Sequence, residues 1–450
     1  MNPRLLFGAI LAAGAILRFW SLGGESLWHD EAWTWYLVRD SIGDLFRRVA
    51  REDAHPPLYF LVLWPWAKLG DSEAMLRLPS AILGLAALPL VWRLGRALGG
   101  DRTGLLAMAF VAIAPLPIKY SQEARSYALL FFLCALSLNL LADRRWIALG
   151  IVTAAILYTE YLGAFFLLGE ATLVAYRARQ DPALLRAGLK SALLAFVLFL
   201  PWLPTAFHHL FVVGGGFWMK PTSLFVLGSE FARLLAFPYG FVDTLRAIGW
   251  AALPAAAAVA TLLGFAANAV ARRPETRPWT LPLLVPIGFM AAAGFFLPIF
   301  CARGLIYVIA PLALLAAAGA PRGRALAVAI LILGTLPATR FFTPALEREN
   351  WRAAVAHLRV YAKPGDLVLV HEGFLQVNVE YYWQGYDRPP LLGVGERGVP
   401  IEEAVARART RPLVWVLRRT YDELPAPLTA DFPVRQDNRW QHVGVLRMSR

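Results

Sequence analysis

Long apolar runs recur from one end of this sequence to the other, and they limit its fold more than any other feature. About eleven segments approach the roughly 20 apolar residues that a helix needs to cross a hydrocarbon core about 30 Å thick. They lie near residues 4–20, 78–97, 103–119, 126–142, 146–160, 161–177, 190–206, 246–270, 279–299, 303–320 and 324–340. Soluble packing has no use for so many. Composition agrees, with 58% hydrophobic and 17% charged residues, where a soluble domain carries about a quarter charged. The expectation is a polytopic α-helical membrane protein in contact with the lipid bilayer along most of its length.

Charge then sets orientation. The formal charge is +13, but the basic residues form short clusters between apolar runs and no single patch, which argues against a nucleic-acid partner. Arg93, Arg96 and Arg102; Arg144 and Arg145; Arg177, Arg179, Arg186 and Lys190; Arg272, Arg273 and Arg277; and Arg322 and Arg324 all fall on one face. That face is cytoplasmic by the positive-inside rule. The run Leu5–Trp20 follows Arg4 without a small-residue cleavage site and reads as a retained first helix. An odd number of spans places the tail from Phe341 outside.

Two stretches stay out of the count. Residues 58–67, LYFLVLWPWA, are too short to span and contain Pro65, so they predict an interfacial helix. Residues 222–242 contain Glu230, Arg233 and Pro238 and predict an amphipathic helix on the outer surface. The chain thus divides into a membrane domain, 1–340, with large outer loops at 21–77 and 207–245, and an external tail, 341–450. In the tail, NWRAAVAHLRVYA has a helical period, KPGDLVLV reads as turn then strand, PLVWVLRR as a strand, and HVGVLRM as a closing strand. This alternation predicts a small extracytoplasmic α/β domain. The two cysteines, Cys134 and Cys301, lie in or beside apolar spans and support neither a disulfide framework nor a cysteine metal site.

Chemistry concentrates in the outer loops. In SLWHDEAWTWY, Asp30 and Glu31 stand among Trp28, Trp33 and Trp35. A carboxylate there suits proton removal from an acceptor hydroxyl, and Asp30 equally suits the cap of a helix starting at Ala32. In EDAHPPLYF the prolines hold His55 extended, as a sugar or phosphate contact, a metal ligand or a plain turn. His208 and His209 leave a divalent metal compatible with the outer face, though no metal or other cofactor is required. PIKYSQEARSYALL places Lys119 and Arg125 on the outer side, against the charge bias. They suit a lipid phosphate, or an ion pair with Glu123. Arg303, at the entrance of a later span, either snorkels to headgroups or completes a basic site. Tyr127, Glu160 and Tyr161 lie on the same outer face.

The order W28-H29-D30-E31-A32, H55-P56-P57-L58, R77-L78-P79-S80 and Y120-S121-Q122-E123-A124-R125-S126-Y127 resembles one family. It is similar to the bacterial GT-C glycosyltransferases related to dolichyl-phosphate-mannose protein mannosyltransferases and the lipid A aminoarabinose transferase, over roughly residues 1–340. The resemblance implies a GT-C fold in the bacterial cytoplasmic membrane, with the active site on the extracytoplasmic side. It implies transfer of a hexose or pentose from a polyprenyl-phosphate carrier to a glycan, lipid or protein acceptor, commonly with inversion. It makes Asp30 the catalytic base with Glu31 its acidic neighbour, and it directs Lys119, Arg125 and, more loosely, Arg303 to the donor phosphate. His55 matches a His-Pro-Pro turn with a structural or acceptor-side role, and Tyr127, Glu160 and Tyr161, by their place on the outer face, complete the expected substrate-binding set. Phosphate is an adequate leaving group, so no nucleotide or metal is implied. The rival class is a transporter or flippase of lipid-linked sugars, which asks for polar residues through the membrane. The charged residues of this chain cluster instead at span ends.

Overall fold

The computed structural model describes residues 2–213, 222–236, 249, 252–320, 325, 327–332 and 348–449. Most of the last expected span, the basic residues Arg322 and Arg324, and much of the outer loop 207–245 lie outside the described residues. The chain forms two compact units. One comprises 1–22, 41–66 and 77–346; the other comprises 23–40, 67–76 and 347–450.

The first unit is helical. Among the described residues, four helices are long and apolar enough to cross a membrane: Glu73–Ile113, Ala183–Phe211, Leu253–Arg272 and Ala302–Gly319. Shorter apolar helices include Pro3–Phe19, Tyr127–Ala142, Trp146–Thr159, Gly163–Ala178 and Leu281–Gly294. Apolar faces turn outward: Leu185, Leu189, Leu193, Phe196 and Val197 are all exposed along one helix, an arrangement that lipid satisfies and water does not. Ala302–Gly319, by contrast, is buried almost throughout. Gly319 lets this helix meet the helix Leu253–Arg272, because a Cβ there would lie 1.8 Å from the Phe265 carbonyl oxygen. Close approach through small residues is how membrane helices gain contact.

The expected spans 78–97 and 103–119 are rearranged. A helix running Glu73–Ile113 is interrupted at Gly99 and Gly100. It then stops before Ala114, which is extended (φ −60°, ψ 128°), and Pro115–Ser121 forms a separate short helix carrying Lys119. Pro115 explains the break, since a residue before proline is pushed out of the α region. Proline also offers no N–H to the Val111 carbonyl. The buried guanidinium of Arg18 supplies the missing donors, reaching Val111 O at 3.1 Å and Ala112 O at 2.8 Å. The stretch 58–67 forms a ten-residue helix as expected, and Leu224–Leu235 is also helical.

In the second unit a five-stranded sheet has the order β2-β1-β3-β5-β4. The strands are β1 (Leu367–His371), β2 (Leu391–Val394), β3 (Val414–Arg419), β4 (Val434–Trp440) and β5 (Val443–Met448). β1 pairs in parallel with β2 and β3, whereas β5 runs antiparallel to both β3 and β4. β1 is buried along its whole length, as a strand covered on both faces should be. Helix Trp351–Tyr361 covers one face with Trp351, Ala354, Val355 and Leu358, a helical apolar stripe. Ala404, Val405 and Ala408 cover the other. The HVGVLRM strand lies inside the sheet and does not close it. The edges are β2 and β4, and the polar exposed residues of β4, VRQDNRW, protect it from further pairing.

Candidate functional site

The Asp30–Glu31 segment belongs to the second unit. Its helix is His29–Val38, preceded by Trp28 in extended conformation. Asp30 therefore stands inside the first turn and does not cap a helix beginning at Ala32. Both carboxylates suit the positive end of the helix dipole, but their settings differ. Glu31 is fully buried and bonded to Arg348, Nη1 to Oε2 at 2.8 Å, while Arg348 Nε reaches Glu25 Oε2 at 3.2 Å. Asp30 is half-buried, and its backbone oxygen accepts from Thr34 Oγ1 at 2.9 Å. His29 packs edge-on to Phe374 and lies 3.4 Å from Asn378 Oδ1. Burial holds its imidazole below the ordinary histidine value, which keeps the ring neutral at pH 7.

The remaining candidates belong to the first unit, where Asp53, His55 and Arg125 form a row. Asp53 Oδ1 accepts from the His55 backbone N–H at 2.6 Å and lies 2.7 Å from His55 Nδ1. A Nδ1–H directed at Asp53 leaves the Nε2 lone pair to accept from Arg125 Nη2 at 3.0 Å. Glu160 Oε2 lies 3.9 Å from the same Nε2. Burial pushes the Asp53 carboxyl upward, but the ring and backbone N–H groups of His55 and the charge of Arg125 outweigh it and hold the group well below the usual carboxylate range.

Tyr127 stands within electrostatic reach of Arg303, Glu160 and Arg125. The Arg303 guanidinium lies over the Tyr127 ring at 5.7 Å, Tyr127 is 4.7 Å from Tyr120, and Lys119 Nζ lies 5.4 Å from the Tyr120 ring centre. Arg125, Arg303, Glu160 and Tyr127 thus come together, with Lys119 reaching the group through Tyr120. Tyr161 is engaged differently. Trp202 Nε1 donates to its hydroxyl at 3.0 Å, the hydroxyl lies 3.0 Å from His209 Nδ1, and His209 Nε2 lies 3.3 Å from the Ala50 oxygen. That chain ties helix ends together. Among the described residues, no group of three or more His, Cys, Asp or Glu side chains gathers where a metal would be held.

Asp53, Arg348 and Asn378 were not singled out from the sequence. Asp53 carried a readable signal, an Asp two residues before a His-Pro-Pro turn, where Asx turns form. Arg348 carried none, because its partners lie more than 300 residues away.

The sequence profile of the dolichyl-phosphate-mannose-protein mannosyltransferase family matches residues 54–204. That segment contains His55, Lys119, Arg125, Tyr127, Glu160 and Tyr161. No curated protein matches the chain. Among solved structures, ArnT from Cupriavidus metallidurans in the apo state aligns with TM-score 0.64 and 16% identity, over 98% of this chain and 97% of that one. The same protein bound to undecaprenyl phosphate gives TM-score 0.62 at 16% identity with the same coverage. The apo oligosaccharyltransferase of Archaeoglobus fulgidus aligns with TM-score 0.50 and 12% identity, over 93% of this chain and 69% of that one.

Proposed function

From the premise that the chain has the GT-C superfamily fold, related to ArnT and the protein mannosyltransferases, we propose that it is a membrane glycosyltransferase. It takes a sugar from a polyprenyl-phosphate carrier and transfers it, with inversion, to an acceptor hydroxyl on the extracytoplasmic side of the bacterial cytoplasmic membrane. About eleven spans, the membrane domain 1–340 and the extracytoplasmic domain 341–450 belong to this reading.

The observation that carries it is the Asp53–His55–Arg125 row, which lies almost wholly inside the segment with the mannosyltransferase signature. A neutral imidazole fixes the guanidinium without adding a negative charge of its own. Arg125, Arg303 and Lys119 then hold the donor phosphate and stabilise the charge that grows on it as the sugar–phosphate bond breaks. Tyr127 and Glu160 line the same group. Asp30 takes the proton of the acceptor hydroxyl, while Glu31, locked to Arg348, keeps the turn in shape. A glycan, lipid or protein acceptor fits this chemistry equally well, and no metal enters it. The fold of ArnT, a protein crystallised with undecaprenyl phosphate, supports the donor class.

Sugar release from radiolabelled polyprenyl-phosphate hexose and pentose donors tests the reading. Wild type should transfer or slowly hydrolyse one of them, and Asp30→Asn should lose about 10²–10⁴-fold while still binding donor, the usual weight of a general base. Equal turnover in both proteins would place the base elsewhere. Donor binding with no release in either would favour a flippase.

A further inference from the structure

A hollow of about 660 Å³ opens in the second unit beside the end of helix His29–Val38 and the turn after helix Gln376–Tyr382. Its size falls within the roughly 300–1,000 Å³ of small-molecule sites, and the roles assigned above do not use it. Its floor is held rigidly. Arg39 bonds to Glu380 at 3.1 Å and lies over the Trp35 ring at 5.1 Å. Lys68 directs its ammonium to the carbonyl oxygens of Arg39 and Asp40, each at 2.8 Å, which satisfies groups left open past the helix end. Asp71 accepts from Trp35 Nε1 at 3.1 Å through Oδ2, and its backbone oxygen accepts from the Tyr381 hydroxyl at 2.7 Å. Gly385, at φ +73°, makes the turn that presents Gln384, Tyr386 and Arg388.

These bonds leave a definite set of open valences. Asp71 Oδ1 and Gln384 Oε1 remain as acceptors, the exposed Arg388 guanidinium as a donor, and the Tyr386 hydroxyl as both. The charges balance, with Arg39, Lys68 and Arg388 against Asp40, Asp71 and Glu380. A balanced rim gives no net attraction to a polyanion or a polycation. Ala67 is the single aliphatic side chain of the lining, so an acyl chain would bury little apolar surface. Alternating donors and acceptors beside an aromatic ring suit a ligand whose groups both donate and accept, namely a ring bearing hydroxyls.

We infer that this hollow is a saccharide-binding cleft that takes a neutral sugar chain. The same helix carries Asp30 in its first turn, roughly 13 Å away along the axis, so the cleft grips a part of the chain remote from the reacting hydroxyl. That the sugar chain belongs to the acceptor rests on the proposed transfer reaction; the cleft itself does not.

The test is titration calorimetry on the full-length protein in a detergent without a sugar headgroup. The probes are mannotriose, cellotriose and chitotriose, with tripolyphosphate as the anionic comparison. At least one trisaccharide should bind saturably. Affinity should fall about tenfold or more in Asp71→Asn and in Arg388→Ala, the loss expected for a hydrogen bond to a charged group. Asp71→Asn keeps an oxygen for Trp35, and Arg388 is exposed, so neither change threatens the fold. No trisaccharide binding at millimolar concentration, unchanged affinity in both variants, or tripolyphosphate binding in place of the sugars would overturn the inference. Sugar release from the polyprenyl-phosphate donors, measured on the same wild-type protein, separates the two readings. Saccharide binding without release leaves the cleft and removes the transferase, and release without saccharide binding does the reverse.

Discussion

Replacing Arg348 with alanine should destabilise the second unit by several kcal/mol, in a way that depends on pH. The Arg348 guanidinium is 10% exposed and bonds to Glu31, which is 0% exposed, at 2.8 Å, and to Glu25, which is 18% exposed, at 3.2 Å. Removing one partner of a buried ion pair costs about 3–5 kcal/mol, because the other charge stays out of water. The bond to the more accessible Glu25 adds at most about 1 kcal/mol. Hydrogen exchange of the central strands β1 and β3, which open only with the whole unit, should therefore quicken roughly 150- to 5,000-fold in Arg348→Ala at pH 8. The pH dependence follows from Glu31. Without the guanidinium its folded pKa rises above the unfolded value of about 4.3. Below that raised pKa the folded state binds a proton that the unfolded state lacks, so the variant regains stability as pH falls. The deficit against wild type should be smaller at pH 5.5 than at pH 8. Arg348→Lys keeps the charge but loses the fork, and should fall between the two. A deficit under about 1 kcal/mol at pH 8, or one that grows toward acid, would refute the reasoning.

Three further changes, one of them a control, test the first unit. Gly319→Ala places a Cβ against the Phe265 carbonyl and should cost about 1–3 kcal/mol or more by overpacking, read as a lower midpoint for loss of monodisperse protein on heating. Gly288→Ala, where a Cβ would meet nothing within 4 Å, should leave that midpoint unchanged. Asp53→Asn removes the carboxylate from the His55–Arg125 row and should cost about 1–3 kcal/mol at pH 7. Because the Asp53 carboxyl is depressed, its contribution is complete above the ordinary value of 3.8 and is lost as pH falls through the lowered folded value. The stability gap between wild type and variant, followed by denaturant titration, should persist at pH 5 and close only in stronger acid.

How far the sequence could be read depended on the range of the interaction that decides each feature. Apolar composition acts locally, and helices stand at nearly all the expected spans that fall among the described residues. The break at Ala114 also had a local cause in Pro115, but hydropathy averages across it. β4 has no apolar alternation to read, because this edge strand is polar and exposed, and β2, LLGV, is too short to stand out. The grouping of 23–40 and 67–76 with the tail rests on contacts such as Arg352 Nη2 to Glu73 Oε1 at 2.6 Å and Tyr382 to Ser26 at 3.0 Å, which no local pattern announces. In the candidate site, residue types identified the motifs but not their settings. Asp30 and Glu31 look equivalent in sequence, yet Glu31 is fully buried against Arg348 and Asp30 is half-buried.

The same distinction divides the side-chain donors near the expected outer face into two kinds. Helices that end near the membrane surface leave carbonyl groups open, and in or near lipid each must find a donor. Arg18 serves the end of the helix Glu73–Ile113. Gln122 Nε2 reaches Leu17 O at 3.0 Å and Trp20 O at 3.1 Å at the end of the first helix, and Arg77 reaches Leu22 O at 2.9 Å. An unmet buried carbonyl costs about 1–3 kcal/mol, which is reason enough for these residues without any substrate. Arg125 and Arg303 differ, because an imidazole and an aromatic face hold them. Those partners orient each guanidinium within a group that also holds Glu160 and Tyr127. A motif such as SQEARSY therefore combines two requirements in seven residues: Gln122 closes a helix, and Arg125 is held by His55 in the place that the proposed function gives to the donor phosphate.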